Sequence, residues 1–136
     1  MTDNHSNIMS QPPENKISGA IIDCAVRIHK ALGPGLLESA YEECMLYKLT
    51  KNDLFVEKQE ALPLIYEKVK LDIGYRVDLL ANRKVIVEIK SVECLTDVHL
   101  AQVLTCLRLS GCKLGLLINF NVAFLKKGIR RVVNGL

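Results

Sequence analysis

Tryptophan is absent, and aromatic residues make up only 5% of the 136-residue chain. A protein that holds nucleic acid mainly by stacking bases would carry more aromatic platforms than this. No apolar run approaches the roughly 18 residues that a bilayer-spanning helix needs, so no such helix is expected. The opening MTDNHSNIMSQPPEN has neither a basic start nor an apolar segment, so it is not patterned as a secretory signal. The five cysteines (Cys24, Cys44, Cys94, Cys106 and Cys112) contain no C-x-x-C pair. They fall in apolar segments such as IIDCAV and VLTCLRL, and read as buried free thiols of a reducing, cytoplasmic compartment rather than as zinc ligands. Acidic residues stop at Asp97, whereas Arg108, Lys113, Lys126, Lys127, Arg130 and Arg131 follow it.

What is present fits one ordinary domain. Hydrophobic residues are 49% of the chain and mean hydropathy is +0.18, which excludes a disordered chain. A chain of this length can bury a core without metal or disulfide staples. Net charge is +3. Residues 1–15 hold Asp3 and Glu14 and no base, so residues 16–136 carry 18 basic against 13 acidic residues. The one-signed C-terminal end points to a polyanionic partner, with a solvated charged face as the plainer alternative.

Residues 1–15 are polar and end in Pro12-Pro13, which reads as a tail ahead of a single domain over 16–136. Ile17, Ala20, Ile21, Cys24, Ile28 and Leu32 have helical spacing, and Gly33-Pro34-Gly35 stops that helix. A second helix is expected from Leu37 to Thr50. Leu54–Glu60 and Leu62–Tyr66 read as two strands broken at Pro63. YRVDLL after Gly74 and KVIVEIK after the turn at Ala81-Asn82-Arg83 read as a hairpin. Thr96 or Asp97 can cap a helix that runs to Ser110, with Gly111 past its end. KLGLLINF reads as a buried strand and FLKKGIRRVV as a last, more exposed one. The order ααββββαββ gives an α/β or α+β domain, a mixed sheet with helices packed on it.

The hairpin carries the chemistry. Burying Tyr75, Val77 and Leu79 with Val85, Val87 and Ile89 sets a register that also brings Asp78, Glu88 and Lys90 onto one face. Asp78 and Glu88 would then lie opposite or diagonal to each other, about 5–8 Å apart at Cα. Two such carboxylates repel unless a proton or cation lies between them. Oxygen donors with water positions left open suit Mg²⁺ or Mn²⁺. Lys90 reaches the same space, where it could orient a water or offset charge on phosphorus. Spacing alone is better served by the plainer reading, a polar sheet face with a Glu–Lys ion pair, because D-x9-E-x-K arises often by chance.

Residues 35–41, GLLESAY, fit the signature G-x-x-E-x-x-Y. The chain resembles the family named after that signature, within the PD-(D/E)XK nuclease superfamily. The resemblance continues through VEKQEALPLIYE, LDIGYRVDLL, VIVEIKSVECLTDVHLAQVL and LGLLINFNVAFLKKGIRRVVN, covering about residues 17–134. It implies a central mixed sheet flanked by helices and metal-dependent hydrolysis of a phosphodiester. It also implies that Asp78 and Glu88 are metal ligands, with the Ile89 carbonyl as a third, and that Lys90 serves the nucleophilic water. Glu38 matches the glutamate contributed near the metal by the first core helix. Gln102 matches the first residue of a Q-x-x-x-Y motif, whose Tyr is Cys106 here.

Taken alone, Glu38 is an acid favoured by the dipole of its helix, and Tyr41 one turn on is a packing residue. His99 shares a stripe with Gln102 and Cys106 and invites a general-base role, although a capping or solvent-facing histidine is the commoner case. The reading is a Mg²⁺-dependent nuclease (Mn²⁺ as substitute), with Asp78, Glu88, Lys90 and Glu38 catalytic. Gln102, Lys126, Lys127, Arg130 and Arg131 would contact DNA or RNA. The alternatives are a nucleic-acid-binding or regulatory module with little turnover, and a small homo-oligomer, such as a homodimer.

Overall fold

The computed structural model describes residues 12–136. Helix α1 runs Pro13–Leu32. Proline suits its first turn because the missing N–H has no partner there in any helix. Ile17, Ile21, Cys24, Ala25 and Ile28 form its buried face. The helix thus begins inside the stretch expected to be tail, and Glu14 is buried in its first turn. Residues 1–11 of that stretch lie outside the described residues. Helix α2, Glu38–Lys51, turns Tyr41, Met45 and Leu49 inward. Tyr41 stacks on Phe120 at 4.3 Å, and its hydroxyl donates to the Gly33 carbonyl at 2.5 Å, which pins the Gly-Pro-Gly turn between the two helices.

The strands are β1 (Val56–Tyr66), β2 (Val69–Ala81), β3 (Val85–Lys90), β4 (Leu114–Asn119) and β5 (Ile129–Val133), with helix α3 (Asp97–Ser110) between β3 and β4. They form one mixed sheet in the order β1-β2-β3-β4-β5. The β3–β4 pair is parallel and the others are antiparallel. α3 supplies the crossover that a parallel pair needs.

Three expectations are corrected. β1 is continuous across Pro63, and the break appears only as a register shift between Leu62 and Leu64, so three strands rather than four precede α3. β2 starts at Val69, well before Gly74, and the β1–β2 hairpin turns through Glu67 and Lys68 at positive φ. FLKKGIRRVV is only half strand: Leu125–Gly128 is a turn of 3₁₀ helix. Gly128 is required there, because a Cβ would sit 2.2 Å from the Asn119 carbonyl oxygen.

The core lies on both sides of the sheet. Ile21, Met45, Leu79, Val87 and Leu116 belong to the layer under α1 and α2. Leu80, Ile86 and Leu107 belong to the layer under α3. All six residues of β4 are buried, as its unbroken apolar run predicts. Of the cysteines, Cys24, Cys106 and Cys112 are buried and Cys44 is half-buried, but Cys94 is exposed, against expectation. No helix among the described residues is long and apolar enough to cross a membrane.

Candidate active site

The β2–β3 register pairs Leu79 with Val87, Leu80 with Ile86 and Ala81 with Val85. The three-residue connection of Asn82, Arg83 and Lys84 between the paired Ala81 and Val85, with φ of 51° and 54° at Asn82 and Arg83, sets it. Continued by one pair, that register brings Asp78 opposite Glu88. There the ladder gives way to side chains. The Asp78 N–H donates to Glu88 Oε1 at 3.2 Å, and the Ile89 N–H donates to Asp78 Oδ2 at 2.8 Å. Each carboxylate therefore takes a backbone donor of the facing strand. From Glu88 to Lys90, β3 continues against β4.

β2 and β3 part at this point, and a cavity of about 320 Å³ opens between the hairpin and α3. Asp78, Glu88 and Lys90 line it, together with His99 and Gln102 of α3. The convergence expected from strand alternation is present. The expected face of Val77 is not: it packs with Leu80 and Ile86, whereas Leu79 belongs to the opposite layer. The alternation inverts between them, where Gln59 of β1 stands across from Asp78 in left-handed backbone, φ 52°.

Gln59 carries no signal in the sequence. Its amide donates to Glu42 Oε1 at 2.6 Å and to Asp78 Oδ1 at 3.2 Å. Both Asp78 oxygens are thus held by donors. Glu42, one turn beyond Glu38 on α2, is buried, and its carboxyl is raised above the ordinary value, first by burial and with Asp78 adding to it. Nothing in the pattern VEKQEAL marks a left-handed Gln, and Glu42 has only its i+4 spacing from Glu38 to recommend it.

Glu88 is the most perturbed group. Burial, and then the charge of Asp78, push its carboxyl from 4.5 to about 8; the Asp78 N–H and Lys90 act in the other direction. A proton, or a cation in its place, relieves that cost. Two hard oxygen donors beside a solvent-reachable space fit a small divalent ion that keeps several waters. Among the described residues no cluster of three or more acidic, His or Cys side chains surrounds a common point.

The other expected residues separate. Glu38 does not line the cavity; its Oε2 accepts the Ser91 N–H at 3.1 Å, while Ser91 Oγ donates to the Leu36 carbonyl. It ties the start of α2 to the segment after Lys90. Asn119, which is 1% exposed, ties the same segment to the end of β4 through Val92. His99 completes a capping box: its Nδ1 accepts the Thr96 N–H, and its own N–H bonds to Thr96 Oγ1. Cys106 is buried on the cavity wall, its thiol pushed to about 11 by burial first and then by Glu88 and Asp78. Lys126, Lys127, Arg130 and Arg131 do not line the cavity. Arg130 donates to the Lys127 and Ile129 carbonyls, and Arg131 to Asn15 Oδ1.

This sheet, with an acid on each of two parting strands and a lysine two residues beyond the second acid, has its counterpart in a known family. The family model of the PD-(D/E)XK nuclease superfamily matches residues 15–132, and the chain belongs to that superfamily. No curated protein and no solved structure matches the chain.

Proposed function

We propose that the chain is a metal-dependent phosphodiesterase of the GxxExxY type that cleaves nucleic acid. The observation that carries this reading is the meeting of Asp78, Glu88 and Lys90 on one cavity at the point where β2 leaves β3. Asp78 and Glu88 would hold Mg²⁺ or Mn²⁺, and the Ile89 carbonyl, one residue along, is the third donor that the resemblance implies. A bound ion would supply Lewis acidity and a water of lowered pKa.

The chain's own residues do the rest. The Ile89 N–H and Gln59 fix the Asp78 carboxylate before anything binds. Lys90 holds the attacking water or takes up charge on the phosphoryl oxygens. Gln102 offers an amide to the substrate from the α3 wall. His99 presents Nε2, because Nδ1 is occupied by the Thr96 N–H. The free thiols, with Cys94 exposed among them, suit a reducing cytoplasm.

Labelled single- and double-stranded DNA and RNA incubated with Mg²⁺, Mn²⁺ or EDTA test this. Cleavage is expected only with the cation, and Asp78→Asn and Glu88→Gln should lose it by two or more orders of magnitude. Lys90→Ala should bind Mn²⁺ normally but cleave slowly, since its part lies in the transition state. Cleavage that persists in EDTA, or in Glu88→Gln, overturns the assignment.

A further inference from the structure

A second cavity, of about 480 Å³, adjoins the first. Gly74, Tyr75 and Arg76 are common to both. From there it follows the β1–β2 hairpin past Pro63 to Lys70. From Lys70 to Asp78 the strand spans roughly 26 Å, at about 3.3 Å per residue. β2 pairs with β3 only from Leu79 onward, so Val69–Val77 has no β3 partner on that edge. Arg76 donates to the Gln59 carbonyl, is exposed and lines both cavities. Lys70 is exposed at the far end, and Asp72 is the one acid among the residues lining this second cavity. Tyr75 is 40% exposed.

Resting on the nuclease reading above, we propose that this groove is the substrate track: an unpaired nucleic-acid strand runs from the scissile phosphate at Asp78 and Glu88 along the β1–β2 hairpin. Arg76 and Lys70 take phosphates, and the Tyr75 ring takes the face of a base. A ring can stack only on a base whose face is open, which a duplex interior does not offer. The C-terminal bases that charge alone pointed to line neither cavity.

Gly74 gives a test that does not depend on removing an interaction. A Cβ placed on it meets nothing within 4 Å, and its φ is not in the left-handed region. Gly74→Glu therefore adds a negative side chain to the shared wall from a position where its Cβ has open space. Anisotropy of fluorescein-labelled oligothymidylate, oligouridylate and a short duplex is measured in EDTA at several salt concentrations. Wild type should prefer the single strands. Gly74→Glu should weaken single-strand binding roughly tenfold or more, about 1.4 kcal/mol. Lys70→Gln with Arg76→Gln should lower the log–log salt slope by about 0.7 for each phosphate no longer neutralised. Gln at Lys48 and Lys51 of α2, which line neither cavity, should change neither.

Unchanged affinity and cleavage in Gly74→Glu, with wild type active, overturns the track and leaves the nuclease reading standing. Tighter binding of the duplex than of either single strand also overturns it. A wild type that neither binds nor cleaves any of these probes overturns both.

Discussion

Gln59 is the residue on which the candidate site turns. A side chain other than glycine in left-handed backbone costs roughly 1–2 kcal/mol, and here it stands in a strand interior, φ 52°. Its amide spans Glu42 and Asp78. Gln59→Gly keeps the backbone and removes the amide. We expect its melting temperature to stay close to wild type, because the relieved strain offsets the missing hydrogen bonds. Its affinity for Mn²⁺, followed by calorimetric titration, should fall several-fold as Asp78 Oδ1 comes loose. Unchanged Mn²⁺ affinity would show that the Ile89 N–H alone orients Asp78. Asp78, Glu88 and Lys90 are legible in sequence because a tight turn and period-two alternation fix which residues face one another. Gln59 is not, because a hydrogen bond across a strand to a carboxylate leaves no periodic trace. The true face of Val77 is hidden for the same reason, since the inversion of faces at Gln59 and Asp78 is invisible to alternation.

Elements bounded by strong local chemistry are legible almost to the residue. α3 runs from Asp97 to Ser110, between a Thr96 cap and Gly111 in left-handed backbone. The sequence suggests two strands where β1 is one, because proline ordinarily breaks a strand, whereas here a register shift absorbs it. The 3₁₀ turn at Leu125–Gly128 has no local signal, because it depends on the Asn119 carbonyl, distant in sequence, approaching Gly128. The α3 cap matters to the site because it sets where His99 and Gln102 enter the cavity wall. Gly115 of β4 lets that helix lie close: an added Cβ would meet Val103 Cγ1 at 2.7 Å. Thr96→Ala removes the acceptor for the His99 N–H and should cost about 1 kcal/mol in chemical denaturation. The His99 ring keeps its own bond, because the N–H it accepts is the backbone N–H of residue 96, which alanine retains. Thr96→Ser, which keeps the hydroxyl, should restore the stability. Equal stability of the Ala and Ser variants would mean that the capping box contributes nothing.

At the scale of the whole molecule, the core and the site make opposite demands. Two layers of apolar side chains close on both faces of the sheet, and a carboxyl of β3 sits between them. In the folded chain Glu88 holds its proton up to about pH 8, against 4.5 for the ordinary group, because burial and Asp78 disfavour its charge. The folded state therefore binds that proton more tightly than the unfolded state does. The stability tied to it is complete below about pH 4.5 and is lost as pH rises towards 8. Without divalent cations, the melting temperature should fall by several degrees between pH 5 and 8 and flatten above that. Glu88→Gln cannot ionise, so it should lose most of this slope and be more stable than wild type at pH 8. Mn²⁺ should raise wild-type stability at pH 8, since it binds the folded carboxylates and not the open chain. It should raise that of Glu88→Gln far less. Thermal denaturation of both proteins across this range, with EDTA and with Mn²⁺, measures all three effects. Parallel pH curves for the two proteins would mean that Glu88 carries no burial cost, and the physical reason for a cation at this site would fall with it.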